Sequence, residues 1–383
     1  MRILHCCLSN FYIDHYSYQE NLLPKFNQRH NHIVQIIAST EVYDKKGITS
    51  YVEPATYYTE TEIPITRVPY KKWLPLFLAK KVRAYKDVPR LIEDFMPDVI
   101  VFHGMPAYEL INVVKYVKEN PNVTLYVDSH EDYNNSARNF LSKFFLHRIF
   151  YRSIIKKCLP YVNKVLYITE ETKDFITTEY RVPENKLEYY PLGGEVVKRE
   201  EKEKIKSEIR KQLSIGENTI LMFHSGKLDR LKKTADIIRA INKINSDKIL
   251  LLIAGNIPPD YAELQQEISK CERVKWLGWL NGDEVRQYLC ACDLYAQPGS
   301  QSVTAQNAMC CGTPVMLYPH KSYEKLCKDN VIWVRDSEDI YSVLQEILDK
   351  PEYLKRMSEA SFSLAHKLLD YDVLAKKIEQ KNE

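Results

Sequence analysis

Glycine is scarce in this chain: eleven in 383 residues, beside eighteen prolines, too few for a collagenous or low-complexity protein. Charge of one sign is lacking too. The 54 basic and 51 acidic residues leave a formal net charge of +3, so no broad field argues for nucleic acid as a partner. Long apolar runs are absent; the longest, such as Ile249–Ala254, fall far short of the ~20 residues a membrane span needs. The opening apolar stretch is interrupted by His5 and soon meets Asp14, so a secretory leader is not expected. Nine cysteines are an odd number, and Cys6, Cys7, Cys158 and Cys310 sit inside apolar segments. That usage reads as reduced thiols in a cytosolic protein. Cys290 and Cys292 are too close, and lack the second pair, for a zinc ribbon. Neither a Walker loop nor Gly-x-Gly-x-x-Gly occurs.

What the chain does have is alternation. Short β-branched or apolar runs alternate with longer segments of helical period, the signature of βαβ units on a parallel sheet. Strands are predicted at 3–8, 33–38, 65–68, 99–103, 124–128 and 164–168, with the clearest helices at 76–95, 108–119 and 140–159. After the Pro191-Leu192-Gly193-Gly194 turn, a charged stretch over 198–211 reads as a solvated helix at a domain junction. A second series follows, with strands at 220–224, 248–254, 274–277, 294–297, 314–318 and 331–334. Helices are predicted between them at 232–244, 261–270, 283–290, 302–311 and 340–348. The economical fold is α/β, two Rossmann-like domains around a cleft. Ligands of such sheets bind beyond the carboxyl ends of the strands, so the loops there should carry the chemistry.

Two of those loops stand out. His224-Ser225-Gly226-Lys227-Leu228-Asp229-Arg230-Leu231-Lys232-Lys233 places glycine at a strand end, then four basic residues, then a helix start. Glycine permits close backbone approach, and cations beside a helix N-terminus suit a diphosphate. A solvated basic turn is the competing reading. The segment from Pro298 through Gly299, Ser300, Gln301 and Ser302 aims a second helix N-terminus, and Gln306 and Asn307 offer amides to hydroxyl groups. The competing reading there is an exposed polar helix face. In the first half, His130 follows a predicted strand within Asp128-Ser129-His130-Glu131-Asp132, and an imidazole held by a carboxylate can position or deprotonate a hydroxyl near neutral pH. His103 ends the preceding strand. The polar, aromatic loop from Ser9 to Asn21, with Asn10 and Tyr16, suits a sugar, or is a packed surface loop.

Gly226-Lys227-Leu228 with Lys232, Ile253-Ala254-Gly255, Leu277-Gly278-Trp279-Leu280, Asp293 to Pro298 and Asn307-Ala308-Met309-Cys310-Cys311-Gly312-Thr313-Pro314-Val315 resemble, in order and spacing, the retaining GT-B glycosyltransferases known as group 1, or family four. The resemblance implies a GT-B architecture with parallel sheets facing a central cleft. It implies an acceptor-side domain over 1–193, a nucleotide-sugar domain over 194–365 and a C-terminal helix, 366–383, crossing back to the first domain. Lys227 and Lys232 match the family's basic pair at the donor diphosphate, with Arg230 assisting, Gly226 allowing the approach and Trp279 or Trp276 near the base. His130 takes the place of the histidine facing sugar and acceptor, with Asn10, Tyr16 and His103 on the acceptor side. The family's usual two glutamates are missing. Asn307 stands at the second, Gln306 beside it, and Ser300, Gln301 and Ser302 stand where the first would act.

The implied function is retaining transfer of a sugar from a nucleotide diphosphate donor to a glycan or lipid-linked acceptor, in surface polysaccharide or glycoconjugate synthesis. The missing glutamates keep open a catalytically silent nucleotide-sugar-binding subunit, and sugar-nucleotide epimerisation is a third option. No Asp-x-Asp lies in the strand-end segments, so neither metal nor other cofactor is expected. Basic and aromatic residues mix over Lys71, Lys72, Trp73, Lys80, Lys81, Arg83, Lys86 and Arg90, and again over 140–157, where Arg148, Arg152 and Lys156 share one helix ridge. Such ridges can rest on an anionic membrane, which gives the expected location: cytoplasmic, with the inner face of the plasma membrane as a second partner. The apolar residues of the second helix do not segregate cleanly, so part of it is expected to be core.

Overall fold

The computed structural model describes residues 1–43, 48–72 and 75–380; Trp73 lies outside them. The chain divides into two units, 1–191 with 374–383, and 192–373. The sequence placed these boundaries at 193 and 365. The last ten residues group with the first unit.

Unit 1 carries β1 (Arg2–Cys7), β2 (Ile33–Ser39), β3 (Glu41–Tyr43), β4 (Thr49–Tyr51), β5 (Thr56–Tyr58), β6 (Pro64–Val68), β7 (Val99–Phe102), β8 (Thr124–Ser129), β9 (Lys164–Tyr167) and β10 (Leu187–Tyr189). Its main sheet has the order β10-β9-β8-β7-β1-β2-β6-β5, parallel except for β5 against β6. Unit 2 carries β11 (Ile220–Ser225), β12 (Ile249–Ala254), β13 (Val274–Trp276), β14 (Leu294–Gln297), β15 (Val315–Leu317) and β16 (Val331–Trp333). Their order is β13-β12-β11-β14-β15-β16. Both are doubly wound sheets whose direction of winding reverses beside the first strand, between β1 and β7 and between β11 and β14. That reversal opens a crevice at the strand ends. The central strands are buried almost throughout and mostly apolar because helices cover both faces, and each unit has its own core.

Some expectations need correction. The helix predicted at 76–95 is two helices, Leu76–Val82 and Val88–Phe95. Arg83 turns left-handed at φ 56°, and the link pairs with the chain before it through Lys71 N to Ala84 O and Lys86 N to Pro69 O. Pro89 then suits a helix start rather than a helix interior. The helix at 198–211 is Arg199–Gln212, but it is not wholly solvated: Lys202 is buried and donates to Gly312 O at 2.6 Å. Arg148 pairs with Glu179, and Arg152 donates to the carbonyls of Glu179 and Thr178. These two ridge cations are therefore used within the unit. Among the described residues, no helix is long and apolar enough to cross a membrane.

Candidate active site

In unit 2, three loops meet beyond the ends of β11, β12 and β14, packed so closely that glycine is required. A Cβ on Gly255 would lie 1.8 Å from Gly226 O, and one on Gly299 would lie 2.0 Å from Leu231 O. Gly226 and Gly255 also take φ of +137° and +131°, which side-chain-bearing residues avoid. Lys232 folds over Gly226, its Cε 3.1 Å from where a Cβ would stand. Its ammonium donates to Gln301 O at 3.4 Å, next to the start of the helix Val303–Cys310. Lys232 is buried, and that burial pushes its pKa down, with Asp229 partly restoring it. Among the described residues no carboxylate lies within ion-pair distance of it. A desolvated cation beside a helix N-terminus is a strong anion site.

The other predicted donor residues divide. Gly226 is part of the cradle. Lys227 is exposed beside it, without a partner among the described residues. Ser300 and Ser302 are half-buried and Gln301 exposed on the β14 loop; Ser302 caps the helix, accepting from Thr304 N at 3.3 Å. Gln297, which the sequence left unassigned, braces this loop through Nε2 to Ser300 O at 2.8 Å. Gln306 is buried and Asn307 half-buried, with Asn307 Oδ1 close against the backbone of Gly194. Neither belongs to an exposed helix face. Arg230 turns elsewhere: it pairs with Glu263 and lies 4.3 Å over the Tyr261 ring, so the structure does not bring it to Lys232. Trp279 stands 66% exposed, free of the core, whereas Trp276 is tied down by Nε1 to Gly255 O at 2.9 Å.

In unit 1 the corresponding strand ends converge on Asp128, at the end of β8. Its Oδ2 meets His103 Nδ1 at 2.5 Å and Gln19 Nε2 at 3.0 Å. Its Oδ1 accepts from Gly104 N at 2.7 Å and Asn10 Nδ2 at 3.3 Å. Burial alone would push the Asp128 carboxyl up, but His103, His130 and these donors hold it below its ordinary value. His103 is likewise fully buried, which would discharge it, yet Asp128 keeps its pKa raised. His130 Nε2 lies 3.9 Å from Asp128 Oδ1. It is buried with no hydrogen-bond partner among the described residues, a costly state that a ligand hydroxyl would relieve. Glu131 is occupied by the Ser129 hydroxyl, and burial raises its pKa.

Asn10, His103 and His130 are thus brought together. Tyr16 is not: it stands 41% exposed in an aromatic group with Tyr18 and Tyr43. Sequence reasoning missed Gln19, whose Oε1 is also buried and unpartnered, because nothing in its local pattern separates it from an ordinary helix start. Among the described residues, no group of three or more His, Cys, Asp or Glu side chains is placed to hold a metal ion.

Residues 205–363 match the family model described as glycosyl transferases group 1. No curated protein sequence matches the chain. Solved structures are similar over almost the whole length. One is sucrose-phosphate synthase from Thermosynechococcus elongatus, at 15% identity and TM-score 0.66, covering 99% of this chain and 98% of that one. HepE of Anabaena in complex with UDP and glucose has 15% identity and TM-score 0.64, with 99% and 98% covered. A glycosyltransferase from Rickettsia africae has 13% identity and TM-score 0.68, with 98% and 96% covered. At such identity the likeness is one of fold, and that fold is GT-B.

Proposed function

We propose that this chain, whose residues 205–363 match the model of the group 1 glycosyl transferases, moves a sugar from a nucleoside diphosphate carrier to a hydroxyl of a glycan or lipid-linked acceptor, with retention and without a metal. The observation that carries this reading is Lys232, a buried cation with no carboxylate partner among the described residues, held over Gly226 at the start of a helix. Negative charge builds on the β-phosphate as the glycosidic bond breaks, and fixed cations and helix N-termini stabilise it without reorganising. Lys227 adds a second charge from the same loop. Gln306 and Asn307 contribute neutral amides to nucleoside recognition, a weaker contact than a carboxylate gives. In unit 1, the unpartnered Nε2 of His130 takes a substrate hydroxyl while Asp128, His103 and Asn10 hold the surrounding frame. That HepE binds UDP and glucose supports a uridine-type donor.

A lipid-linked acceptor fits one further feature. Leu76, Phe77, Phe140, Leu141, Phe145 and Ile149 are all more than half exposed. Their two helices are joined where the Tyr151 hydroxyl donates to Lys81 O. Apolar side chains beside Lys80 and Lys81 suit an anionic bilayer surface, which supports our reading of a protein acting at the cytoplasmic face of the membrane, in surface polysaccharide or glycoconjugate synthesis. The absence of any acidic residue between Pro298 and Val315 favours a second reading, a silent subunit that binds a nucleotide sugar without turning it over.

One experiment separates the two. Nucleoside diphosphates and their sugars are screened for thermal stabilisation of the purified chain, where a ligand at 100 times its Kd contributes about 2.7 kcal/mol. Transfer is then assayed on lipid-linked acceptors in anionic vesicles, with and without a chelator. The proposal expects stabilisation by a diphosphate, abolished by Lys232→Ala in a folded protein, and chelator-resistant transfer abolished by His130→Ala. Tight binding without turnover supports the silent subunit; an unchanged shift in Lys232→Ala removes the phosphate site.

A further inference from the structure

A buried chain of hydrogen bonds runs through unit 1 from Asp128 to the C-terminal segment. His103 Nδ1 lies 2.5 Å from Asp128 Oδ2, and His103 Nε2 lies 3.0 Å from His5 Nδ1. His5 Nε2 lies 3.0 Å from Asn27 Oδ1, and Asn27 Nδ2 lies 2.7 Å from Glu379 Oε1. His5, Asn27, His103 and Asp128 are fully buried, so water cannot stand in for a missing partner.

With both ends ionised and His5 neutral, one set of directions satisfies every link. Glu379, as a carboxylate, only accepts, so Asn27 must turn its amide NH2 toward it and its carbonyl toward His5. A carbonyl also only accepts, so His5 carries its proton on Nε2. Burial and the adjacent His103 hold His5 neutral, leaving Nδ1 as a lone pair. His103 must then donate from Nε2, while its Nδ1 donates to the Asp128 carboxylate. Both nitrogens of His103 therefore carry protons. The other titratable groups around this chain are Glu20, which favours a charged His103, and Cys7, whose thiol burial keeps protonated. His130 stands beside Asp128, and His30 and His32 stand on Glu379.

We infer that Glu379 is a positioning residue: acting through Asn27 and His5, it fixes the direction of this buried chain and so keeps the His103–Asp128 pair as imidazolium and carboxylate beside His130. Without the carboxylate, Asn27 is free to turn its amide, His5 can shift its proton to Nδ1, and His103 no longer has to donate from Nε2. The consequence for transfer rests on the proposed role of His130; the protonation pattern itself does not.

The test is long-range proton–nitrogen NMR of the full chain with nitrogen-15 histidine, assigned with single histidine variants. At pH 7.5 His103 should show two protonated nitrogens and His5 a proton on Nε2 alone. A singly protonated His103, or a His5 protonated on Nδ1, overturns the inference in the wild type, whatever the variants do. Glu379→Ala should lower the pH at which His103 discharges by about one unit or more and move the His5 proton to Nδ1. Glu379→Gln, whose amide can donate to Asn27 as well as accept from it, should release the pattern as Glu379→Ala does while filling the same space, and an unchanged pattern in both variants refutes the coupling. If no transfer is found with any acceptor while these shifts hold, the functional proposal fails and this one stands.

Discussion

His224, near the end of β11, and Lys232, in the loop that follows, are tuned in the same direction for different ends. Both are pushed toward the neutral form by burial. His224 accepts that outcome: its Nδ1 lies 2.7 Å from Ala296 O and its Nε2 2.9 Å from the Thr234 hydroxyl, so the neutral ring donates to the carbonyl and accepts from the hydroxyl, both nitrogens satisfied. Burial, reinforced by Lys232, brings its pKa down to about 4. As pH falls below 6.5, the unfolded chain takes up this proton before the folded one does. The stability owed to neutral His224 is therefore complete above 6.5 and lost progressively toward about 4. In urea titrations, the advantage of the wild type over His224→Gln should shrink by about 1.4 kcal/mol per pH unit across that window; a flat difference would mean that the ring is already charged in the folded protein. Lys232 has no such internal acceptor beyond one carbonyl, which is why it is free for an anion and His224 is not.

Among the elements, the strand-end loops of β11 and β12 depend on backbone contact rather than on side chains, and this makes two glycines behave very differently. Gly255 has φ +131° and faces Gly226 O, whereas Gly278 has φ +74° with nothing within 4 Å of its missing Cβ. Gly255→Ala should cost about 3 kcal/mol or more and abolish diphosphate binding by moving Gly226 off Lys232. Gly278→Ala should cost about 1 kcal/mol and leave binding nearly unchanged, as calorimetric unfolding and nucleotide titration would show. The same contrast explains what could be read in advance. Strands buried on both faces, such as β7, β8, β11 and β12, stand out in sequence as apolar runs. The short edge pieces β3, β4, β5 and β10 are only partly buried, so they leave no run. The basic cluster after β11 was legible as chemistry, but not that Glu263 and Tyr261 would claim Arg230, since both come from another segment of the chain. Asp128 could be seen only as one carboxylate among three, because its partners His103, Gln19 and Asn10 are assembled by topology.

At the scale of the whole chain, the final residues belong to the unit the chain started from. The polypeptide leaves unit 1 after Pro191 and its last segment, Leu374 onward, groups with unit 1 again. That return is held by packing first: Leu374, Ala375 and Ile378 are fully buried, and the Tyr190 hydroxyl donates to Leu374 O at 2.7 Å. Glu379 adds polar contacts to Asn27 and His30. Burial of two large aliphatic side chains is worth roughly 1.5–3 kcal/mol each, and losing the segment also strands the buried amide of Asn27. Deleting residues 374–383 should therefore destabilise unit 1 by several kcal/mol, far more than Glu379→Ala, and leave unit 2 close to its wild-type stability. Hydrogen exchange reads this directly: amides of β1, β2 and β7 should lose protection in the truncated chain, while those of β11 and β12 keep theirs. Equal loss in both sheets would mean that the segment supports the two units together, and unchanged protection in β1 and β2 would show that its burial contributes little.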